Sequence, residues 1–527
     1  MAQIPSPVSR RSLLKLIGTV AGSAVMYDTM LAMGYAAQSD FSGPVKLSGD
    51  IKGASVLVLG AGIAGMTSAY ELRKAGYKVQ VLEYNNRPGG RNWSLYGGDT
   101  YTELGGATQQ VKFDKGLYFN PGPWRIPFHH QGLLHYCRQL NVPLEVFTQS
   151  NDNAYVHSTS AFDGKPQRIG AVAADVDGYV AELLAKANSQ SKLDGALTGD
   201  EKDALLQILR SWGALDKNYE YKKSDAGSAR RGFDVYPGGG LSPRQVPSEP
   251  LPMQQLFKSG LWRAARSGGS PLFQPVGGMG VIGKTFGKAL DGLIKYNCKV
   301  INIHQDDKGV TVTYIDSRKG GAPQTARADW CVCTIPATIL GQIPMNIGAP
   351  MRNAIFSLSY TASVKVGLQF KRRFWEDDEQ IYGGISHTDL PISTIGYPST
   401  GYMKGGAGVL LGAYVVGKDV NSFGLETLPA TEMVKVAVDQ GSRIHPQYRQ
   451  EFQNGVAVAW HRVPWTLGCA AEWTEENRAK NYDNICALDG RIVLAGEHCS
   501  FITGWQEGSV LSALDSIKRL HKRVVSA

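Results

Sequence analysis

The stretch Val56–Arg91, VLVLGAGIAGMTSAYELRKAGYKVQVLEYNNRPGGR, decides how the rest of the chain is read. A β-branched and leucine run from Ser55 to Leu59 ends at Gly60, and Met66 to Ala75 carries a helix-like pattern closed by Gly76. A second apolar run through Val79, Val81 and Leu82 ends in Glu83, 18 residues after Gly65. A GxGxxG triplet alone is weak evidence because glycine is common, but strand, turn, helix, strand and acid in this order make a Rossmann βαβ unit. In such a unit Gly60, Gly62 and Gly65 allow the tight turn, the approach of backbone to a pyrophosphate and close helix packing. The helix N-terminus adds N–H groups and a positive dipole. Glu83 is placed to accept hydrogen bonds from a ribose diol, and its charge would repel a 2′-phosphate, which disfavours NADP.

The next residues separate FAD from NAD. In NNRPGGR, Gly89 and Gly90 lie between Arg87 and Arg91, giving two cations and bare backbone where a second phosphate could lie. With ELGGATQ (Glu103–Gln109) and, far downstream, GEHCSFITGWQEGSVLSAL (Gly496–Leu514), the pattern resembles the flavin amine oxidase family of monoamine, polyamine and L-amino-acid oxidases. The resemblance implies an α/β fold: an FAD-binding Rossmann-type, glutathione-reductase-like core, a discontinuous substrate-binding domain and a helical insertion. It also implies noncovalent FAD, since Cys499 does not stand where monoamine oxidases attach their flavin. The cofactor contacts it implies are Gly60, Gly62, Ala64, Gly65, Glu83, Arg91, Gly105, Gly106, Ala107, Thr108, Val300, Trp465, Glu497, Gly504 and Trp505.

On this pattern residues 51–110, 270–340 and 471–527 form the FAD-binding domain, 111–265 a helical substrate insertion and 341–470 the substrate-binding domain. Within the FAD domain, PLFQPVGGMGVIGKTFGKAL reads as loop then helix, KVINIHQDDKGVTVTYID as two strands around a polar turn, and DWCVCTIP as a strand running toward the cofactor. The first insertion has helical patterns at 128–140, 174–189 and 200–213; the second is strand-rich, as in SVKVGLQF and GAGVLLGAYVV.

Composition is that of an ordinary globular protein: 527 residues, 43% hydrophobic and 19% charged, enough for two or three lobes with substantial cores. The formal charge is +9, and no Lys/Arg block of the kind that tracks phosphates occurs, so nucleic-acid binding is disfavoured. Seven scattered cysteines do not read as a disulfide framework. Cys331 and Cys333 share a strand face without two further ligands nearby, so they read as buried thiols and no metal is expected. The first 39 residues, with Arg10 and Arg11 ahead of a moderately apolar segment, resemble a twin-arginine export leader. That implies a periplasmic or secreted protein, or a cytoplasmic one if the leader is vestigial. No stretch reaches 18 apolar residues, so stable membrane insertion is not expected.

Within the family the resemblance is to the L-amino-acid oxidase branch. Arg125 in NPGPWRIPFHH matches that branch's carboxylate-binding arginine, and a guanidinium can grip a carboxylate through two parallel hydrogen bonds. Tyr397 is the candidate for a second bond to the carboxylate, with Gly396 at the alternative register. Lys365 matches the lysine that reaches flavin N5 through water; by sequence alone it reads equally as an edge-strand lysine. The Gly504 carbonyl would accept from the substrate amine, Trp505 would wall the site, and Trp465 would lie against the flavin; each tryptophan also suits plain core packing. His129 and His130 read as structural or gating residues. The implied reaction is oxidative deamination of an L-amino acid by hydride transfer to flavin N5, with dioxygen as acceptor, giving a 2-oxo acid, ammonia and hydrogen peroxide. A monoamine or polyamine oxidase, a tryptophan 2-monooxygenase-like enzyme and a non-catalytic FAD-binding protein are the alternatives. The resemblance also implies a homodimer.

Overall fold

The computed structural model describes residues 39–190, 198–236, 245–259, 261, 271–417 and 428–526. The twin arginine at Arg10 and Arg11 lies outside the described residues.

Two sheets organise the chain. The first has six strands in the order Ile294–Lys295, Lys78–Leu82, Ser55–Leu59, Trp330–Cys333, Ile492–Leu494 and Leu488–Asp489; the first five run parallel and the last is antiparallel. Its three central strands, Ser55–Leu59, Trp330–Cys333 and Ile492–Leu494, are apolar on both faces because both are covered. Val56, Val58, Val332 and Val493 pack under the helices Ile63–Lys74 and Gln506–Ser526. Leu57, Leu59, Cys331, Cys333 and Leu494 face a three-stranded antiparallel ribbon, Cys298–Asp306, Gly309–Asp316 and Gly320–Ala328. The two cysteines are thus core thiols on one face. Each such side chain taken fully out of water contributes roughly 1.5–3 kcal/mol.

The glycine turn follows from the same crowding. Gly60 has φ +104°, and a Cβ there would stand 2.6 Å from Thr334 Oγ1; a Cβ on Gly65 would stand 1.9 Å from the Gly60 carbonyl oxygen. The helix can begin this close to its strand only without side chains at those two positions.

The second sheet has seven strands: Gln167–Arg168, Tyr155–His157, Ile385–Thr388, Thr394–Gly396, Gly408–Val416, Ser363–Phe370 and Phe452–Ala459. All eight residues of Ser363–Phe370 are buried. Successive side chains on a strand point to opposite faces. Val364, Val366, Leu368 and Phe370 enter a core with Val172 and Val176 of helix Ile169–Ser189 and Met433 and Ala437 of helix Ala430–Gly441. Lys365, Gly367 and Gln369 face residues 114–122: Gln369 Oε1 accepts from the Asp114 N–H at 2.9 Å, and a Cβ on Gly367 would stand 2.5 Å from the Phe119 ring. One strand therefore serves a dry core on one side and the site on the other.

Residues 111–265 include the helices Gln131–Gln139, Ile169–Ser189 and Gly199–Trp212, the last opened by a capping box between Thr198 and Glu201, and two shorter ones, Asp225–Arg231 and Met253–Ser259. Two expectations need correction. Leu272–Pro275, read as loop, is a strand between Ile126–Pro127 and Leu144–Phe147. The ribbon also has a third strand, Gly320–Ala328, which is largely exposed and shows no alternating apolar pattern; backbone pairing, Ala328 in the core and a few side-chain contacts hold it.

Candidate functional site

A cavity of about 830 Å³ takes its lining from both sheets. One end is nearly all backbone. Gly60, Gly62 and Ala64 line it, and a Cβ on Gly62 would meet nothing within 4 Å and would stand in the cavity itself. Gly65 sits behind them, against the Gly60 carbonyl. Glu83, 4% exposed, ends its strand there; Oε2 accepts from the Ala61 N–H at 2.5 Å, and Oε1 from the Asn85 N–H and Nδ2, each at 2.8 Å. A carboxylate offers about four acceptor sites, so Oε2 keeps capacity for a hydroxyl. Val300 lines the same end beside a break in the register of its strand. Bare backbone amides, a helix N-terminus and a carboxylate at a strand end fit the diphosphate and ribose of a dinucleotide.

The middle of the cavity is held by an ion pair between a half-buried Arg91 and a buried Glu497. Arg91 Nη1 donates to Glu497 Oε1 at 2.7 Å and to the Cys469 carbonyl at 2.9 Å. Glu497 also accepts from the N–H of Ala471 and, at 3.1 Å, from that of Gly504, where the chain turns at φ +77°. Burial pushes the Glu497 carboxyl up, but Arg91, with His498 and these hydrogen bonds, outweighs it and holds the group below its ordinary range. The loop at Arg91, the strand end at Glu497 and the turn at Gly504 are thereby fixed together. Asn92 adds a second tie: its Oδ1 accepts from the Gly283 N–H and its Nδ2 donates to Gln506 at 2.6 Å.

The far end is built from side chains. Arg125 is 8% exposed, with its guanidinium carbon 5.5 Å from the Trp124 ring centre and 5.9 Å from that of Trp505. Lys365 is 3% exposed; its Nζ donates to the Gly122 carbonyl at 2.6 Å and lies 4.4 Å from the Tyr414 ring centre. Burial lowers the Lys365 ammonium to about 7; Cys469 opposes this, and the Arg125 charge adds a smaller lowering. Trp460 and Trp465 cross at 89° and line the cavity, as does Trp505 beside Arg125. His130 packs edge-on against Trp505 at 5.0 Å, and burial, then His129, pushes its pKa to about 3, so it stands as a neutral imidazole. Beside Arg125, burial and then the guanidinium charge lower His387 to about 4.

Arg125, Lys365, Trp465, Gly504 and Trp505 thus meet in one cavity with Gly60, Gly62, Ala64, Glu83, Arg91, Val300 and Glu497. Three expectations do not place residues there. Tyr397 is 1% exposed and turned into the substrate-domain core, where its hydroxyl meets Ser386 Oγ at 2.7 Å and His445 Nε2 at 2.6 Å; the strand's alternation points Gly396, not Tyr397, toward Trp124. Gly105, Gly106, Ala107 and Thr108 form the exposed tip of the hairpin between Thr100–Thr102 and Thr108–Gln110, with Gly105 and Gly106 at φ +94° and +90° making its turn; from that segment only Leu104 reaches the cavity. Arg87, expected beside a phosphate, instead lies over Trp93 at 4.6 Å and Trp465 at 5.4 Å, outside the lining. Trp124, Tyr414 and Trp460 are lining residues that sequence reasoning missed. Tyr414 is the cross-strand partner of Lys365, a pairing with no local signal. Cys298 and Cys469 line the cavity, whereas Cys499 does not.

The chain matches the family model of flavin-containing amine oxidoreductases over residues 63–516. It is 28% identical over 480 residues to an L-amino-acid oxidase of Vipera ammodytes ammodytes, covering 89% of this chain and 92% of that protein. To a putative L-amino-acid oxidase of Bacillus subtilis (strain 168) it is 27% identical, covering 87% of this chain and 93% of the other. Among solved structures it resembles a putrescine oxidase bound to putrescine, with TM-score 0.57 at 15% identity over 90% of this chain and 99% of that one. It equally resembles the cyclohexylamine oxidase of Brevibacterium oxydans IH-35A, with TM-score 0.57 at 15% identity over 89% and 99%. Fold, dinucleotide cradle and a match over most of the chain lead to one conclusion: this protein is an FAD-dependent oxidoreductase and belongs to the flavin-containing amine oxidoreductases.

Proposed function

We propose that the protein is an L-amino-acid oxidase that converts L-amino acids and dioxygen to 2-oxo acids, ammonia and hydrogen peroxide. The observation that carries this reading is Arg125, a guanidinium buried between two indoles in the cavity wall. A plain amine has no group that needs a buried cation, while an α-carboxylate does. The relatives called L-amino-acid oxidases, which match along nearly their whole length, support it.

FAD, when bound, supplies the two-electron oxidant for the carbon–nitrogen bond and returns the electrons to dioxygen. The chain's residues do the positioning. Arg125 holds the carboxylate through paired N–H donors. The Gly504 carbonyl accepts from the substrate amine, in a turn that Glu497 fixes through the Gly504 N–H. Trp465 and Trp505 confine the substrate and exclude water. Lys365, poised near neutrality, can hold or release a proton at Nζ beside the Gly122 carbonyl. His130 keeps the Trp505 indole in place rather than taking the amine proton.

The test is anaerobic bleaching of the flavin by L-amino acids, D-amino acids and the decarboxylated amines, in wild type and Arg125→Ala. Reduction by L-amino acids alone, lost selectively in the variant, supports the reading. Equal reduction by amines with little effect of Arg125→Ala replaces it with an amine oxidase, the reading that the putrescine and cyclohexylamine oxidase folds keep open. Two further expectations join the proposal: acid precipitation releases the FAD, as for a noncovalent cofactor, and residues 1–39 direct export, which fractionation of expressing cells would check.

A further inference from the structure

A second, smaller cavity of about 90 Å³ lies behind the first, and Trp124 lines both. The indole is fixed by its surroundings: Phe147 meets it edge-on at 5.3 Å and Tyr414 at 6.2 Å. It lies back against Gly396, where a Cβ would stand 2.2 Å from its ζ2 carbon and 2.4 Å from its η2 carbon. Any other residue at 396 would therefore push the ring forward. Gly396 is in an ordinary strand and has no positive φ, so its missing side chain answers to this contact and not to a turn. On the cavity side, Arg125 and Lys365 stand 5.5 and 5.7 Å from the ring. A substrate whose carboxylate is held by Arg125 thus meets the indole within the reach of its own side chain. Behind the indole the small cavity is mixed in character: Leu117, Phe119, Val409 and Leu411 line it with apolar groups, and Asn120, Gln274 and Ser399 add polar ones. Arg373, which also reaches it, is engaged by Glu376 and the Thr400 carbonyl and offers no unpaired charge to a substrate.

We propose that Trp124, seated on Gly396, is the size-limiting wall of the substrate pocket: it sets the largest side chain the enzyme accepts and closes off the small cavity behind it. The proposal rests on the reading of the large cavity as the amino-acid site. Two substitutions should act in opposite directions. Trp124→Ala joins the two cavities and admits bulky apolar side chains; Gly396→Ala drives the indole toward Arg125 and shrinks the pocket. Steric discrimination of this kind changes relative kcat/KM by about 10- to 200-fold for small differences in apolar size.

The experiment measures kcat/KM for L-alanine, L-leucine, L-phenylalanine and L-tryptophan by oxygen uptake, with FAD content and Tm recorded for each variant. The expected result is a tryptophan-to-alanine ratio raised about tenfold or more by Trp124→Ala and lowered about tenfold by Gly396→Ala, with FAD content unchanged. Ratios within twofold of wild type in both FAD-loaded variants overturn the proposal. If Trp124→Ala does not fold, Trp124→Phe, which keeps an aromatic ring of smaller span, and Gly396→Ala carry the same test. Should the wild type oxidise amines and no L-amino acid, the amino-acid reading fails by itself. The wall is then tested by the ratio of tryptamine to ethylamine in the same variants, and an unchanged ratio overturns it there too.

Discussion

The two ends of the large cavity are made in different ways. At the nucleotide end the chain offers backbone: glycines that a Cβ would obstruct, one carboxylate and the start of a helix, all within residues 60–83. At the substrate end it offers side chains from residues 124, 125, 365, 414, 465 and 505, brought together only by tertiary structure. A backbone site tolerates no side chain but is indifferent to which substrate follows; a side-chain site can be altered one contact at a time. The difference predicts that lesions at the first end act on all substrates alike and lesions at the second sort among them.

The largest effect should come from Gly65→Ala. Its Cβ would overlap the Gly60 carbonyl at 1.9 Å, so helix and strand must separate, and loss of FAD-loaded protein on purification is expected, checked by flavin absorbance per chain. Arg125→Ala should follow, with FAD retained but kcat/KM for L-amino acids down roughly 10²- to 10³-fold, about the 2–5 kcal/mol of a truncated buried charge contact. Steady-state kinetics with an amino acid and its amine would check it; an equal loss on both would erase the distinction between the ends.

Lys365→Met should cost less, about tenfold to a hundredfold in turnover, and should remove a pH dependence. In the folded chain this ammonium deprotonates near 7, whereas in the unfolded chain it stays charged to about 10.4. Between those values the unfolded state binds the extra proton, so wild-type stability rises with pH across that window and levels off below about 7. The variant should lack this slope in denaturant titrations at several pH values, and its rate profile should lose the limb near neutrality. Tyr397→Phe should do least: removal of hydrogen bonds to Ser386 and His445 costs about 1–3 kcal/mol of stability, read as a lower Tm, with KM unchanged. A raised KM would return Tyr397 to the substrate end.

The same contrast explains what could be read from one sequence. The βαβ unit, its ribose acid and the burial of Cys331 and Cys333 follow from local order and period, and the helix starts agree to within a few residues except where Ile169–Ser189 begins earlier. Arg125 and Lys365 were legible only through resemblance to known motifs. Tyr397 differs from Gly396 by a single position: on a strand of period two, the next residue faces the opposite side, so Gly396 backs Trp124 and Tyr397 enters the core. Gly105–Thr108 was misread because a glycine pair serves a hairpin tip as well as it serves a flavin. Tyr414 and Trp124 owe their positions to strand pairing and ring packing between distant segments, which leave no local trace.

The order of strands in the first sheet has a consequence for how the protein is made. Ser55–Leu59 pairs with Trp330–Cys333, which in turn pairs with Ile492–Leu494, and the carboxylate that clasps Arg91 belongs to residue 497. A nascent chain on the ribosome therefore carries Ser55–Leu59 without the partner strand of its far edge for some 270 further residues, and Arg91 without its Glu497 clasp for some 400. Contacts so distant in sequence close slowly. Firm capture of the cofactor is therefore expected only once the last strand and Glu497 are in place, late in the life of each molecule.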